Sequence, residues 1–205
     1  LSITSFDPAQ PPVSYVKVSG GLFRDMMIHD IDMANFLMGD LPDTVTAVGS
    51  SIVDPEIGAA GDVDTAVVTL SYSDGRIEVI KNSRRAVYGY DQRVELLGSV
   101  GLLQVHNMLE NSVVKSTADG VSGAKPTYFF LERYMPAYET EWGAFVDAVT
   151  NNSPMPVTLK RQFINLKLHS TCDPIMPVLT RTWDLSISVL ENMTKLLSMP
   201  AKLSV

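Results

Sequence analysis

Cysteine is nearly absent. Cys172 is the only one among 205 residues, which excludes an internal disulfide framework and a cysteine-built zinc site, and makes a reducing, cytoplasmic compartment the expectation. Basic clusters are equally scarce. Lys and Arg number 16 against 23 Asp and Glu, a net charge of -7, and Arg84-Arg85 is the nearest approach to a positive patch. Nucleic acid and anionic membrane are thereby excluded as main partners. No apolar run reaches the roughly 18 residues that a membrane span needs. There is no internal period of about 20 to 50 residues and no low-complexity tract. No Gly-x-Gly-x-x-Gly occurs, and neither Gly20-Gly21 nor Gly98 to Gly101 follows a strand in a βαβ unit. Histidine is limited to His29, His106 and His169. His29 with Asp32 offers a divalent ion two ligands where catalytic zinc takes three, so no metal is expected.

What is present suits small-molecule chemistry. A 45% hydrophobic and 19% charged composition can bury a real core, as one generous domain or two small ones. The most informative stretch runs from Ser19 to Gly39, SGGLFRDMMIHDIDMANFLMG. Read as a helix over Leu22 to Met38, it puts Asp25, His29, Asp32 and Phe36 on one face and Leu22, Met26, Met33 and Leu37 on another. A carboxylate one turn below an imidazole orients it as a general base. The alternative is a solvated acidic face interacting with the helix dipole. Gly20-Gly21 and the apolar surroundings favour the site reading.

Elsewhere the pattern is mostly strand. Leu1 to Ser5 is a β-prone run, and the prolines of Asp7 to Pro12 predict an exposed linker. Gly39 to Pro42 stops the helix. Thr44 to Val53, Thr65 to Tyr72, Arg76 to Ser83, Gln92 to Leu97, Leu102 to Val105 and Ser112 to Ser116 read as strands, with Ser73-Asp74-Gly75 turning a hairpin and Pro55 to Asp62 as a loop. A second helix is predicted over Ala137 to Thr150, introduced by Pro136, with an apolar stripe of Tyr138, Trp142, Phe145, Val146 and Val149. Residues 184 to 198 read as a further helix and 201 to 205 as a last strand. Consecutive short strands predict an α+β fold built on an open, mostly antiparallel sheet with helices on one face.

The Gly20 to Asp32 string, GGLFRDMMIHDID, resembles the signature of the C-terminal domain of the Gfo/Idh/MocA oxidoreductases, closest to their inositol dehydrogenases. The resemblance extends over Leu1 to Thr158 and about the last twenty residues. It implies a dihydrodipicolinate-reductase-like domain in which Asp25 is the site aspartate and His29 the base that takes a hydroxyl proton. Residues 1 to 12 become a linker from a nucleotide-binding Rossmann domain outside this chain, although Phe6 stands where the family commonly has a basic residue. Residues 13 to 205 become a substrate-binding and oligomerisation domain, with 160 to 182 an insertion unlike the family.

Two further segments join the site through the resemblance. In Asn82 to Arg93, NSRRAVYGYDQR, it points to Tyr88, Tyr90 and Asp91 as substrate-binding; without it the run is a hairpin with surface arginines and turn tyrosines. In Phe129 to Tyr138, FFLERYMPAY, it points to Arg133, Tyr134 and Tyr138. Tyr138 alternatively belongs to the helix core, and Arg133 to an ion pair with Glu132. The implied activity is NAD(P)-dependent oxidation of a cyclic polyol, myo-inositol first, to a ketone, by a homo-oligomer joined through its sheet face. The cofactor would be held mainly by the missing domain. The alternative of another class is a truncated, non-catalytic chain that oligomerises or binds a polyol.

Overall fold

Period-two burial governs the strands. Within Thr65–Ser71, Ala66, Val68 and Leu70 are buried while Val67 is exposed; within Ile77–Ser83, Glu78, Ile80 and Asn82 are buried. Alternation of this kind buries one face of a sheet and leaves the other open. The structure, a computed structural model, describes residues 1–158, 164, 165 and 168, and the backbone of 181–184.

In chain order the elements are β1 (Ser2–Phe6), α1 (Val13–Ser19), a π-helical turn (Phe23–Met27), α2 (Ile28–Met38), β2 (Thr44–Ser50), α3 (Pro55–Ala59), β3 (Thr65–Ser71), β4 (Ile77–Ser83), β5 (Asp91–Gly98), β6 (Gly101–Val105), β7 (Val114–Thr117), β8 (Gly120–Gly123), α4 (Phe130–Asn151) and β9 (Arg181–Asp184). Seven strands form a sheet in the order β6-β5-β1-β4-β3-β2-β9, and β7 pairs with β8 as a separate hairpin. Every neighbouring pair in the sheet is antiparallel except β1 with β4. The fold is therefore the expected α+β, mostly antiparallel sheet.

The core lies between that sheet and the π-turn with α2. Ile3, Val68, Leu70 and Ile80 from the strands meet Leu22, Phe23, Met27 and Ile31, all nearly inaccessible. The buried stripe of the helical segment differs from the expected one. Met33 is exposed, and Phe23, Met27, Ile31 and Ala34 face the sheet instead. These four follow ordinary helical spacing one position round from the expected stripe, of which Leu22 is buried and Met26 packs against the core.

Other boundaries shift for local reasons. The residues expected as a linker divide in two: Ser2–Phe6 is an inner strand with Ile3, Thr4 and Ser5 buried, and the proline-rich remainder leads into an unforeseen α1. The expected loop after β2 holds the short α3, where the Asp54 side chain accepts the Glu56 N–H at 3.0 Å and Pro55 occupies the first turn. Helix α4 starts at Phe130, well before Pro136, and ends at Asn152 in the left-handed conformation, φ 50°. Its expected apolar stripe is bare: Trp142 and Phe145 stack on each other at 5.6 Å and are both exposed. The helix expected over 184–198 and the strand over 201–205 lie outside the described residues. Inside the expected insertion, Leu168 joins the core, Ile164 packs against it and Arg181–Asp184 pairs with β2. Among the described residues no helix is long and apolar enough to cross a membrane.

Ile80 sits at the middle of the sheet with no exposed surface. Ile80→Ala should cost roughly 2–5 kcal/mol in urea unfolding, whereas Val100→Ala in the exposed β5–β6 turn should stay within about 0.5 kcal/mol of the parent.

Candidate active site

The polar residues of the π-turn and α2 divide between the protein's surface and its interior. Gly20 and Gly21 have φ of 92° and 83°, and a Cβ on Gly21 would sit 2.8 Å from Asp62 Oδ1. That close approach lets both Asp62 oxygens accept the Leu22 N–H at 3.1 Å, fixing where the helical segment begins. Asp25 then falls inside the π-turn, a kind of distortion frequent at functional sites.

Asp25 is held from two sides. Tyr15 Oη of α1 donates to its Oδ1 at 2.6 Å, and Arg84 Nη1, just after β4, donates to its Oδ2 at 2.7 Å. Arg84 also lies 4.0 Å from Asp7. Its side chain is only 3% exposed, and its Nε and Nη2 have no hydrogen-bond partner among the described residues. Burial pushes the Asp7 carboxyl up to about 6, with Arg84 opposing and the Asp25 charge adding to the rise. The hydrogen bond to Asp25, more than its slight burial, raises the Tyr15 hydroxyl.

No hydrogen bond joins Asp25 to His29, whose side chain is exposed. The expected orientation of imidazole by carboxylate is replaced by a carboxylate that two other elements orient. Asp32 accepts from the buried Asn165 at 2.6 Å, and Asn165 in turn accepts from Asn35 at 2.9 Å.

The interior belongs to Asp30. It is 5% exposed, its Oδ1 lies 2.5 Å from Ser5 Oγ of β1, and its Oδ2 accepts from Asn82 Nδ2 of β4 at 2.7 Å. Burial pushes its carboxyl from 3.8 up to about 6, against the pull of those hydrogen bonds and with Asp7 adding to the rise. Ser5 Oγ continues at 2.9 Å to Gln92 Oε1, and Gln92 Nε2 reaches Tyr90 Oη at 3.2 Å.

The remaining expected residues fall into two groups. Tyr90 and Tyr134 meet edge to face at 6.2 Å, and Arg133, 5.8 Å over the Tyr134 ring, donates to the Gln92 carbonyl at 3.1 Å rather than pairing with Glu132. Burial raises both tyrosine hydroxyls. Tyr88 and Asp91 belong elsewhere, since alternation along β5 turns Asp91 and Gln92 to opposite faces. Asp91 is enclosed by Tyr88, by Arg93 at 2.7 Å and by Asn107 at 2.8 Å. Burial works against its charge, but those hydrogen bonds outweigh it and hold the carboxyl below its ordinary value. Burial and Asp91 together push Tyr88 up to about 12. Tyr138 remains exposed on α4.

The sequence reading missed Ser5, Asp7, Tyr15, Asp30, Asn82, Arg84 and Gln92. One signal was available: Asp30 lies between Met27, Ile31 and Ala34, on the stripe that helical spacing buries.

The sequence matches the family described as GFO/IDH/MocA C-terminal domain over residues 3–104. The chain belongs to the GFO/IDH/MocA family. Among relatives of this family, the myo-inositol 2-dehydrogenase of Thermotoga maritima is 52% identical over 158 residues, 77% of this chain and 47% of that protein. A crystal structure of a putative myo-inositol dehydrogenase from Sinorhizobium meliloti superposes with a TM-score of 0.84 at 39% identity, covering 90% of this chain and 56% of that one. The scyllo-inositol dehydrogenase of Lactobacillus casei, solved with bound NAD(H) and scyllo-inositol, superposes with a TM-score of 0.72 at 31% identity, covering 82% of this chain and 51% of that one. The chain thus spans about half the length of the curated relatives it matches.

The buried carboxyls set a pH dependence of definite sign. Asp30 binds its proton more tightly folded than unfolded, so its contribution favours the folded state most below 3.8 and is lost as pH rises from 3.8 to about 6. Asp7, pushed up to about 6, and Glu78, which burial pushes up to about 7, act in the same direction. Asp30→Asn should flatten the fall in stability across that interval by on the order of 3 kcal/mol, read by urea denaturation at a series of pH values.

Proposed function

We propose that this chain is the substrate-binding and proton-handling part of an NAD(P)-dependent oxidoreductase that converts a hydroxyl of a cyclic polyol, myo-inositol first among candidates, to a ketone. One observation carries the reading: the Asp25 carboxylate is fixed by Tyr15 and Arg84 one turn before an exposed His29. The names of its inositol dehydrogenase relatives support the choice of substrate.

An accessible imidazole offers a ring-nitrogen lone pair that can take the proton from a reacting hydroxyl. Asp25, with both oxygens already engaged on the protein side, keeps lone pairs for a neighbouring substrate hydroxyl. Its two donors fix its direction before substrate arrives, which lowers the entropic cost of alignment. Tyr90, Tyr134 and Arg133 supply aromatic surface and polar ends of the sort that sugar-like ligands need. Tyr88 and Asp91 would act from the other sheet face, as supports of β5 rather than as direct contacts.

The described residues do not fit a dinucleotide's diphosphate. The Gly20-Gly21 turn has its following N–H already committed to Asp62, and no other glycine-rich turn among the described residues opens a helix. No step is therefore assigned to NAD on this chain, and the proposal places the nucleotide on a separate domain preceding residues 1–12. It also has copies of this chain associate through the open sheet face, where Val48 and Val67 are exposed. A reducing cytoplasm suits the single Cys172.

The test joins the full 205-residue chain to the part of the Thermotoga maritima relative that it does not match and follows NAD reduction with myo-inositol. Turnover is expected, and His29→Ala should lower it by a factor on the order of 100 or more. A folded chimera that binds myo-inositol calorimetrically without turning it over would establish the non-catalytic alternative. Unchanged turnover in His29→Ala would remove His29 from the mechanism.

A further inference from the structure

Hydrogen counting along Asp30, Ser5, Gln92 and Tyr90 exposes a constraint that none of the site residues considered so far meets alone. Ser5 Oγ carries one hydrogen but lies within hydrogen-bond distance of two oxygens, Asp30 Oδ1 at 2.5 Å and Gln92 Oε1 at 2.9 Å. It can donate to one only. If Asp30 is a neutral acid, its own hydrogen satisfies Ser5 Oγ, Ser5 donates to Gln92 Oε1, and Gln92 Nε2 donates to Tyr90 Oη at 3.2 Å. The Tyr90 hydrogen then turns away from Gln92, toward the hydroxyl of Tyr134, with which it is hydrogen-bonded.

If Asp30 is ionised, Ser5 must donate back to it. The Gln92 amide then reverses, its Nε2 donating to Ser5 and its Oε1 taking the Tyr90 hydrogen. Asn82 Nδ2 donates to Asp30 Oδ2 at 2.7 Å in both states, so the change is confined to one direction. The Gln92 backbone does not need to move, being pinned by Asn107 Oδ1 at its N–H, 2.7 Å, and by Arg133 at its carbonyl, 3.1 Å.

We propose that Asp30 is a positioning residue whose proton sets the sense of a four-member relay, Asp30 to Ser5 to Gln92 to Tyr90, and so decides whether the Tyr90 hydroxyl donates toward Tyr134 or back to Gln92. Its surroundings suit a proton that comes and goes. Among the described residues, the titratable groups that face Asp30 are Asp7 before α1, Glu78 of β4, Tyr90 after β4 and Tyr134 of α4, and none of these carries a positive charge that would hold the carboxylate ionised. With the proton in place, Tyr90 is a donor that an oxygen acceptor such as a polyol hydroxyl can take over from Tyr134. That last assignment rests on the polyol reading; the relay does not.

The test is carbon-13 and nitrogen-15 NMR of this chain through a pH series, reading the Asp30 carboxyl, the Gln92 side-chain amide and the Tyr90 ring carbon that bears the hydroxyl. The three signals should titrate together with one midpoint. In Asp30→Asn the Gln92 and Tyr90 signals should stay at their low-pH positions. In Ser5→Ala the carboxyl should still titrate while the other two stop following it, and Gln92→Leu, which cuts the relay one link further on, should free Tyr90 in the same way. Gln92 and Tyr90 signals that ignore the Asp30 titration in the parent chain, or that still follow it in Ser5→Ala, would overturn the relay. Adding myo-inositol separates the two readings: a relay that co-titrates while Tyr90 ignores the polyol upholds the relay and counts against the polyol site.

Discussion

A carboxylate buried against a sheet must find donors or keep its proton, and Asp30 meets that demand by tying three elements together. Its contacts with Ser5 and Asn82 run from α2 to the parallel pair β1 and β4. Residues on either side inherit their places from it. His29 is turned outward because its neighbour is anchored inward, and Asp25 meets Arg84 because the π-turn precedes the anchored helix. Replacing such a group by a hydrocarbon would be easier on stability, so its presence at the centre of the site is a sign of chemistry or of specificity.

Much of the architecture was legible because it depends on alternation. The β3–β4 hairpin follows from the β-prone runs on either side of SDG and from the alternation of Ala66, Val68 and Leu70, although the second strand buries Glu78, Ile80 and Asn82 rather than Ile77. Spacing is less decisive over Leu22 to Met38, where two neighbouring phases are both apolar and only the exposure of Met33 against the burial of Ile31 and Ala34 separates them. Pro136 is a plausible first helical residue by sequence, yet it lies well inside a helix begun at Phe130, where the Thr140 hydroxyl donates to the Pro136 carbonyl at 2.8 Å.

The site was legible in part, and the division has a physical basis. His29 and Asp25 stand in a local string, so spacing along one element reveals them. Tyr15, Arg84 and Gln92 act by meeting residues far away in the chain, and only the sheet's topology brings them in. Arg84 shows the difference most plainly: two adjacent arginines look like surface charge, yet one is buried against Asp25 and the other, Arg85, is exposed. Asp91 shows the reverse. A polar residue in a string of suggestive neighbours is engaged by Tyr88, Arg93 and Asn107 on the sheet face opposite Gln92.

The parallel pairing of β1 carries a consequence for how the sheet is assembled. β2, β3 and β4 can zip in order through short connections, but Ser5 meets Asn82 and Gln92 across separations of 77 and 87 residues. Closing loops of that length is slow compared with forming a hairpin. β1 therefore waits for its place between β4 and β5, and the Ser5 contacts with Asp30 and Gln92 belong to the last stage of folding. A nascent or partly opened chain would have its hairpins in order and its buried carboxylate still in water.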